Sequence, residues 1–157
     1  MKKSVLGITL LLSSSIAMAS SGSYLFLETA YQGSLIKNKD NSYSLTLQNE
    51  SKNIDYFADR PARKTGTMPL QEFVGLWKNK DIKNNFSDIP PNVAITLKDA
   101  AGQSKHFFAE VLNPSYSKDR VNYKLIVLSK NPVPTGKVKD LSLFFDGIHW
   151  NPGGFGR

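Results

Sequence analysis

Cysteine is absent from this chain, and that absence closes several routes at once. There is no thiol nucleophile, no thiolate metal site, no disulfide and no cysteine to carry an N-terminal lipid. Histidine is scarce, with two in 157 residues, so a Ser-His-Asp arrangement would have to use His106 or His149. Neither G-x-S-x-G nor H-E-x-x-H occurs. Dense Lys/Arg blocks are missing, which argues against nucleic acid as a partner. No cofactor motif stands out. A metal would find only Asp146 and His149 near each other, where three or four ligands are needed. The chain therefore reads as a binding protein before it reads as an enzyme, with no cofactor and no metal.

What is there begins with a leader. Lys2 and Lys3 give a basic start, Val5 to Leu12 an apolar run broken by Gly7 and Thr9, and Ala17-Met18-Ala19 a small-x-small cleavage site. Residues 1–19 are read as a signal peptide cut after Ala19, the apolar run being shorter than the roughly 20 residues of a membrane-crossing helix. The mature chain, 20–157, has no transmembrane segment and the size of a single domain. Losing Lys2 and Lys3 lowers the basic count from 20 to 18 against 13 acids, hence a net charge of +5. That modest excess reads either as a solvated basic surface that aids solubility or as attraction to anionic partners such as lipid headgroups or acidic glycans. Without disulfides, the exported fold must hold by packing alone.

Along the mature chain, period-two alternation dominates. Tyr24 to Tyr31 reads as a first strand, extending past Gly33 through Leu35 and Ile36. Tyr43, Leu45 and Leu47 alternate with Ser44, Thr46 and Gln48, giving one buried and one wet face. Ile54 to Phe57, Val93 to Leu97, Lys105 to Leu112, Val121 to Leu128 and Val138 to Phe145 are further strands, with Asn113 to Arg120 as a connecting loop. His106, Phe108 and Glu110 share a strand face. Leu70, Phe73, Val74 and Trp77 stand at i, i+3, i+4 and i+7, the face of one short helix. Thr67 is its expected N-cap, Pro69 falls in its first turn, and Trp77 belongs to the core. Some seven short strands and one helix predict a mainly β protein, an antiparallel β-sandwich Ig-like in outline. A partly open β-barrel is the rival.

Two stretches carry the candidate binding residues. In Tyr56 to Gly66, Asp59 sits beside Arg60 and before Arg63 and Lys64. Either an Asp59–arginine fork locks the turn, or a free guanidinium with Lys64 forms an anion site. In the Gly/Pro-rich tail 146–157, His149, Trp150 and Asn151 form a candidate sugar or partner contact; otherwise Trp150 and Phe155 fold back onto one end of the sandwich.

The string Tyr56-Phe57-Ala58-Asp59-Arg60-Pro61-Ala62-Arg63-Lys64-Thr65-Gly66 resembles Y-F-S-D-R-P-x-R-x-x-G, a motif of small exported bacterial proteins of unknown function. In those a helix with Phe and Trp follows, then F-x-x-x-P-P-N. Phe73, Trp77, Phe86 and Pro90-Pro91-Asn92 match, so the resemblance covers about Tyr43 to Leu97. Ala58 replaces the serine, removing any role for that hydroxyl. The resemblance marks a fold and implies no activity. The expectation is an exported, non-enzymatic binding protein of the Gram-negative type, periplasmic or secreted, for an anionic lipid, a glycan or a protein. The alternatives are a small secreted hydrolase and a structural or assembly partner in the envelope.

Overall fold

The computed structural model describes residues 24–49, 51–60, 63–78 and 85–147. The proposed leader and residues 148–157 lie outside them. The elements in chain order are β1 (Tyr24–Lys37), β2 (Tyr43–Gln48), β3 (Asn53–Ala58), β4 (Lys64–Pro69), α1 (Leu70–Gly75), β5 (Asn92–Lys98), β6 (Ser104–Ser117), β7 (Arg120–Val127) and β8 (Gly136–Phe145). All pairings are antiparallel.

The strands do not form a sandwich. They run β2-β7-β6-β5-β8-β1, and β1 then pairs with β2, so the sheet closes as a six-stranded barrel. Closure corrects the sandwich expectation and matches the barrel alternative in architecture, although the barrel is shut and not partly open. Its physical basis is β1, which is 14 residues long and serves two partners on one edge. Tyr24–Leu27 pairs with β3, and Gln32–Lys37 pairs with β2. The other edge lies along β8. Irregularities at Thr96/Lys98 and Leu112/Ser115 help bend the wall.

The alternation read from the sequence holds in β2, β5 and β8, with Leu45, Leu47, Val93, Ile95, Leu97, Leu141, Leu143 and Phe145 buried. β6 runs further than expected, through Asn113 and Pro114 to Ser117. The proline is accommodated at the irregular register, where no regular ladder bond is required of it. The connection to β7 shrinks to Lys118-Asp119, both in the left-handed region (φ 50° and 61°), the two-residue turn that matches strand twist.

Thr67 is not a helix cap. It lies in β4 opposite Asp55, and Pro69 takes the cap position. The helix itself is where the periodicity placed it, and six residues long it depends on packing. Leu70, Phe73, Val74 and the following Trp77 are buried. Phe73 lies 5.1 Å from Phe26, 5.0 Å from Phe145 and 5.3 Å from Trp77 by ring centroids. Phe86 joins at 4.6 Å from Trp77. The helix thus joins an aromatic cluster in the barrel core, and Trp77 Nε1 donates to the Val111 carbonyl at 3.3 Å.

Candidate functional site

The motif Tyr56 to Gly66 is a hairpin. Ala58 pairs with Lys64, which places Asp59, Arg60 and Arg63 at the tip. Its signature is partly structural. Tyr56 lies opposite Gly66, and a Cβ on Gly66 would stand 2.5 Å from the Tyr56 hydroxyl oxygen, so the glycine makes room for the ring. Asp59, Arg60, Arg63 and Lys64 are all exposed. The backbone N–H of Arg63 donates to the Asp59 carbonyl at 2.9 Å, with Arg63 at φ 44°. Among the described residues Asp59 makes no ion pair, so the arginine lock does not form; at an exposed tip water competes well for both charges. These four residues line neither of the two best-formed cavities among the described residues. His149, Trp150 and Asn151 lie outside the described residues. His106 and Phe108 are exposed and Glu110 half-buried on the outer face of β6. The Asp146 carboxylate is engaged by Asn92, accepting from its backbone N–H at 2.7 Å and its Nδ2 at 3.3 Å.

The best-formed concavity lies elsewhere, on the outer wall of β8, β1, β2 and β7. It encloses about 530 Å3. Register explains it. One row crosses four strands as Lys139, Gln32, Gln48 and Arg120. The next crosses as Lys137, Ser34, Thr46 and Asn122. Small and medium polar side chains make the floor, while cations stand at both ends. Three strand spacings, about 14 Å along the curved wall, separate those ends. Gly33 lets the wall close up, since a Cβ there would lie 2.5 Å from the Thr46 carbonyl oxygen.

The trough is preorganised. Gln32 Nε2 donates to Gln48 Oε1 at 3.1 Å, and Thr46 Oγ1 donates to Asn122 Oδ1 at 2.7 Å. Lys137, Lys139 and Arg120 have no ion-pair partner among the described residues. The one lining acid, Asp99, accepts from the N–H groups of Ala101 and Gln103 and lies 4.0 Å from Lys105. Three lining cations against this one carboxylate leave the trough net cationic. Tyr31 stands at the rim, 67% exposed.

The chain matches no protein-family model, no curated protein and no solved structure. What the trough does must come from its chemistry. It offers amides, hydroxyls and cations. Among the described residues no cluster of three or more His, Asp or Glu could hold a metal.

Two further features were not anticipated. Glu28 is buried in the core with 1% exposure. Its Oε1 accepts from Asn49 Nδ2 and its Oε2 from the Tyr123 hydroxyl, each at 2.6 Å. Burial outweighs both bonds and raises its carboxyl from near 4.5 to about 7. Glu28 sits where β1 leaves β3 and has yet to join β2, and it ties the end of β2 and the middle of β7 to that fork. The second feature is an apolar row on the outer wall: Leu27, Phe144, Ala94 and Phe108 in register, with Leu128 donating its N–H to the Phe108 carbonyl. Phe144 is 49% and Leu128 54% exposed.

The alternation of β2 marked Ser44, Thr46 and Gln48 as a wet face. Which residues of β1, β7 and β8 lie beside them depends on long-range register, for which no local signal exists. Glu28 was legible in principle, because it shares parity with Tyr24, Phe26 and Ala30.

Proposed function

We propose that this chain is an exported, non-enzymatic binding protein that recognises an anionic partner through the trough. The leader-like 1–19 segment supports export, periplasmic or beyond, and the Tyr56–Gly66 motif supports kinship with small exported bacterial proteins. The observation that carries the binding reading is the pair of polar rows ending in Lys137, Lys139 and Arg120, three cations without carboxylate partners among the described residues. Unpaired cations around a fixed polar floor attract and orient an anion. The Arg60/Arg63/Lys64 hairpin would add long-range attraction without contributing to the trough.

The test is binding of an acidic polymer at low and high salt. Binding should fall with salt, and the Lys137→Glu/Lys139→Glu double variant should abolish it while its circular dichroism stays unchanged. Binding that survives this charge reversal overturns the reading.

A second reading, a structural or assembly partner in the envelope, is favoured by the apolar row across Leu27, Phe144, Ala94 and Phe108. Contiguous exposed apolar surface is a mark of interaction faces. Association with isolated envelope vesicles that resists salt, is lost in Phe144→Ser/Phe108→Ser and persists in the double-lysine variant would select this reading over the first.

A further inference from the structure

We infer that the anionic partner is a carbohydrate: an acidic oligosaccharide laid across the outer wall of β8, β1, β2 and β7, with a sugar ring on Tyr31. This rests on the anionic-partner reading above and narrows it.

The floor of the trough decides the chemistry. A partner made only of anionic groups would be served by donors alone. Here the middle of both rows is uncharged and two-sided. Amides and hydroxyls carry donors and acceptors together, and so do sugar hydroxyls. The Gln32–Gln48 bond uses one end of each amide, leaving Gln32 Oε1 as an acceptor and Gln48 Nε2 as a donor side by side. Thr46 spends its proton on Asn122 and keeps its oxygen as an acceptor. A carboxylate or phosphate, which only accepts, would leave these acceptors unanswered; a hydroxyl-bearing ring answers both kinds.

Tyr31 supplies the second part. A tyrosine two-thirds exposed at the rim of a polar trough presents an apolar ring face with a polar tip. The C–H face of a pyranose is apolar and its edge is polar, so the two surfaces match. A depression lined by Thr29, Ala30, Ser51 and Asp140 adjoins the same ring, so the ring is reachable from both sides. Cation placement supplies the third part. Lys137 and Lys139 on β8 lie three strand spacings, about 14 Å along the wall, from the strand of Arg120. A chain carrying acidic groups at intervals can engage the cations at both ends. A volume near 530 Å3 is within the range of small-molecule sites, enough for a few sugar units, with the remainder extending over the open wall.

The experiment is calorimetric titration of the protein with three probes: an oligogalacturonate, a polyglutamate peptide of matched charge, and phosphatidylglycerol vesicles. The oligogalacturonate should bind most tightly, and Tyr31→Ala should weaken it roughly three- to tenfold. That substitution should leave weak polyglutamate and vesicle binding unchanged, with an unaltered melting temperature as the folding control. If polyglutamate or vesicles bind as tightly as the sugar, or if Tyr31→Ala has no effect, the carbohydrate inference falls. The anionic reading still stands in that case, provided Lys137→Glu/Lys139→Glu abolishes the binding. If none of the three probes binds, both fall.

Discussion

Raising the pH from 4.5 to 7 should weaken this fold, and Glu28 is the reason. The carboxyl is held near 7 in the folded chain against an ordinary value near 4.5. Between those values the folded chain keeps a proton that the unfolded chain has released. The sign follows: the stabilisation is complete below about 4.5, declines as pH rises, and is gone above about 7. At 1.36 kcal/mol per pH unit the full loss is about 3 kcal/mol. With a urea slope of about 1 to 3 kcal/mol per molar, the unfolding midpoint should fall by about 1 to 3 M across the window. Equilibrium urea unfolding followed by tryptophan fluorescence at closely spaced pH values reads this directly. Glu28→Gln should lose this component, and subtracting its profile removes contributions common to both chains. Tyr123→Phe removes a bond that favours the ionised form, so its decline should extend to higher pH. Asp40, whose carboxyl is held well below its ordinary value first by the Lys124 ammonium and then by Ser42, acts in the opposite sense. Its stabilisation is present above its ordinary pKa and lost only at more acid pH, outside the Glu28 window. Parallel profiles for the parent chain and Glu28→Gln between pH 4.5 and 7 would refute the reasoning.

Phe73→Ala removes the ring shared by Phe26, Trp77, Phe86 and Phe145, and thermal or urea unfolding should show a loss of about 3–5 kcal/mol. Gly33→Ala drives a Cβ against the Thr46 carbonyl; since backbone must move, a destabilisation of about 1–3 kcal/mol is expected by the same measurement. Arg60→Ala and Arg63→Ala remove exposed side chains with no ion pair among the described residues, so each should change stability by no more than about 0.5 kcal/mol. A large loss in either would restore the fold-lock reading of the motif.

Much of the fold was legible because local pattern and burial agree. Leu45 and Leu47 face inward for the reason that Ser44, Thr46 and Gln48 do not, and Leu70, Phe73, Val74 and Trp77 share one side of a helix. β4 was missed because Lys-Thr-Gly-Thr-Met-Pro contains a glycine and a proline and buries only Met68. Its strand state comes from pairing with β3. Sandwich and closed barrel use the same strands, and what separates them is the single pairing of Gln32–Lys37 with β2. Local alternation cannot encode it. The trough was invisible for the same reason: Lys139, Gln32, Gln48 and Arg120 are neighbours through three strand pairings. The arginine motif drew attention because its residue types are conspicuous, yet at an exposed hairpin tip they lie outside the two best-formed cavities.

The seam between β1 and β8 also sets the order in which this molecule can be completed. Phe26 lies against Phe145, so the first strand waits for the last. A chain still missing Gly136–Phe145 has a bare edge on β1 and another on β5, and two such edges invite pairing with other chains. High sequence separation at the closing seam makes folding slow among domains of this size. During synthesis the barrel therefore stays unclosed until β8 is free to pair. That ordering would make C-terminal truncations more damaging to solubility than their length implies.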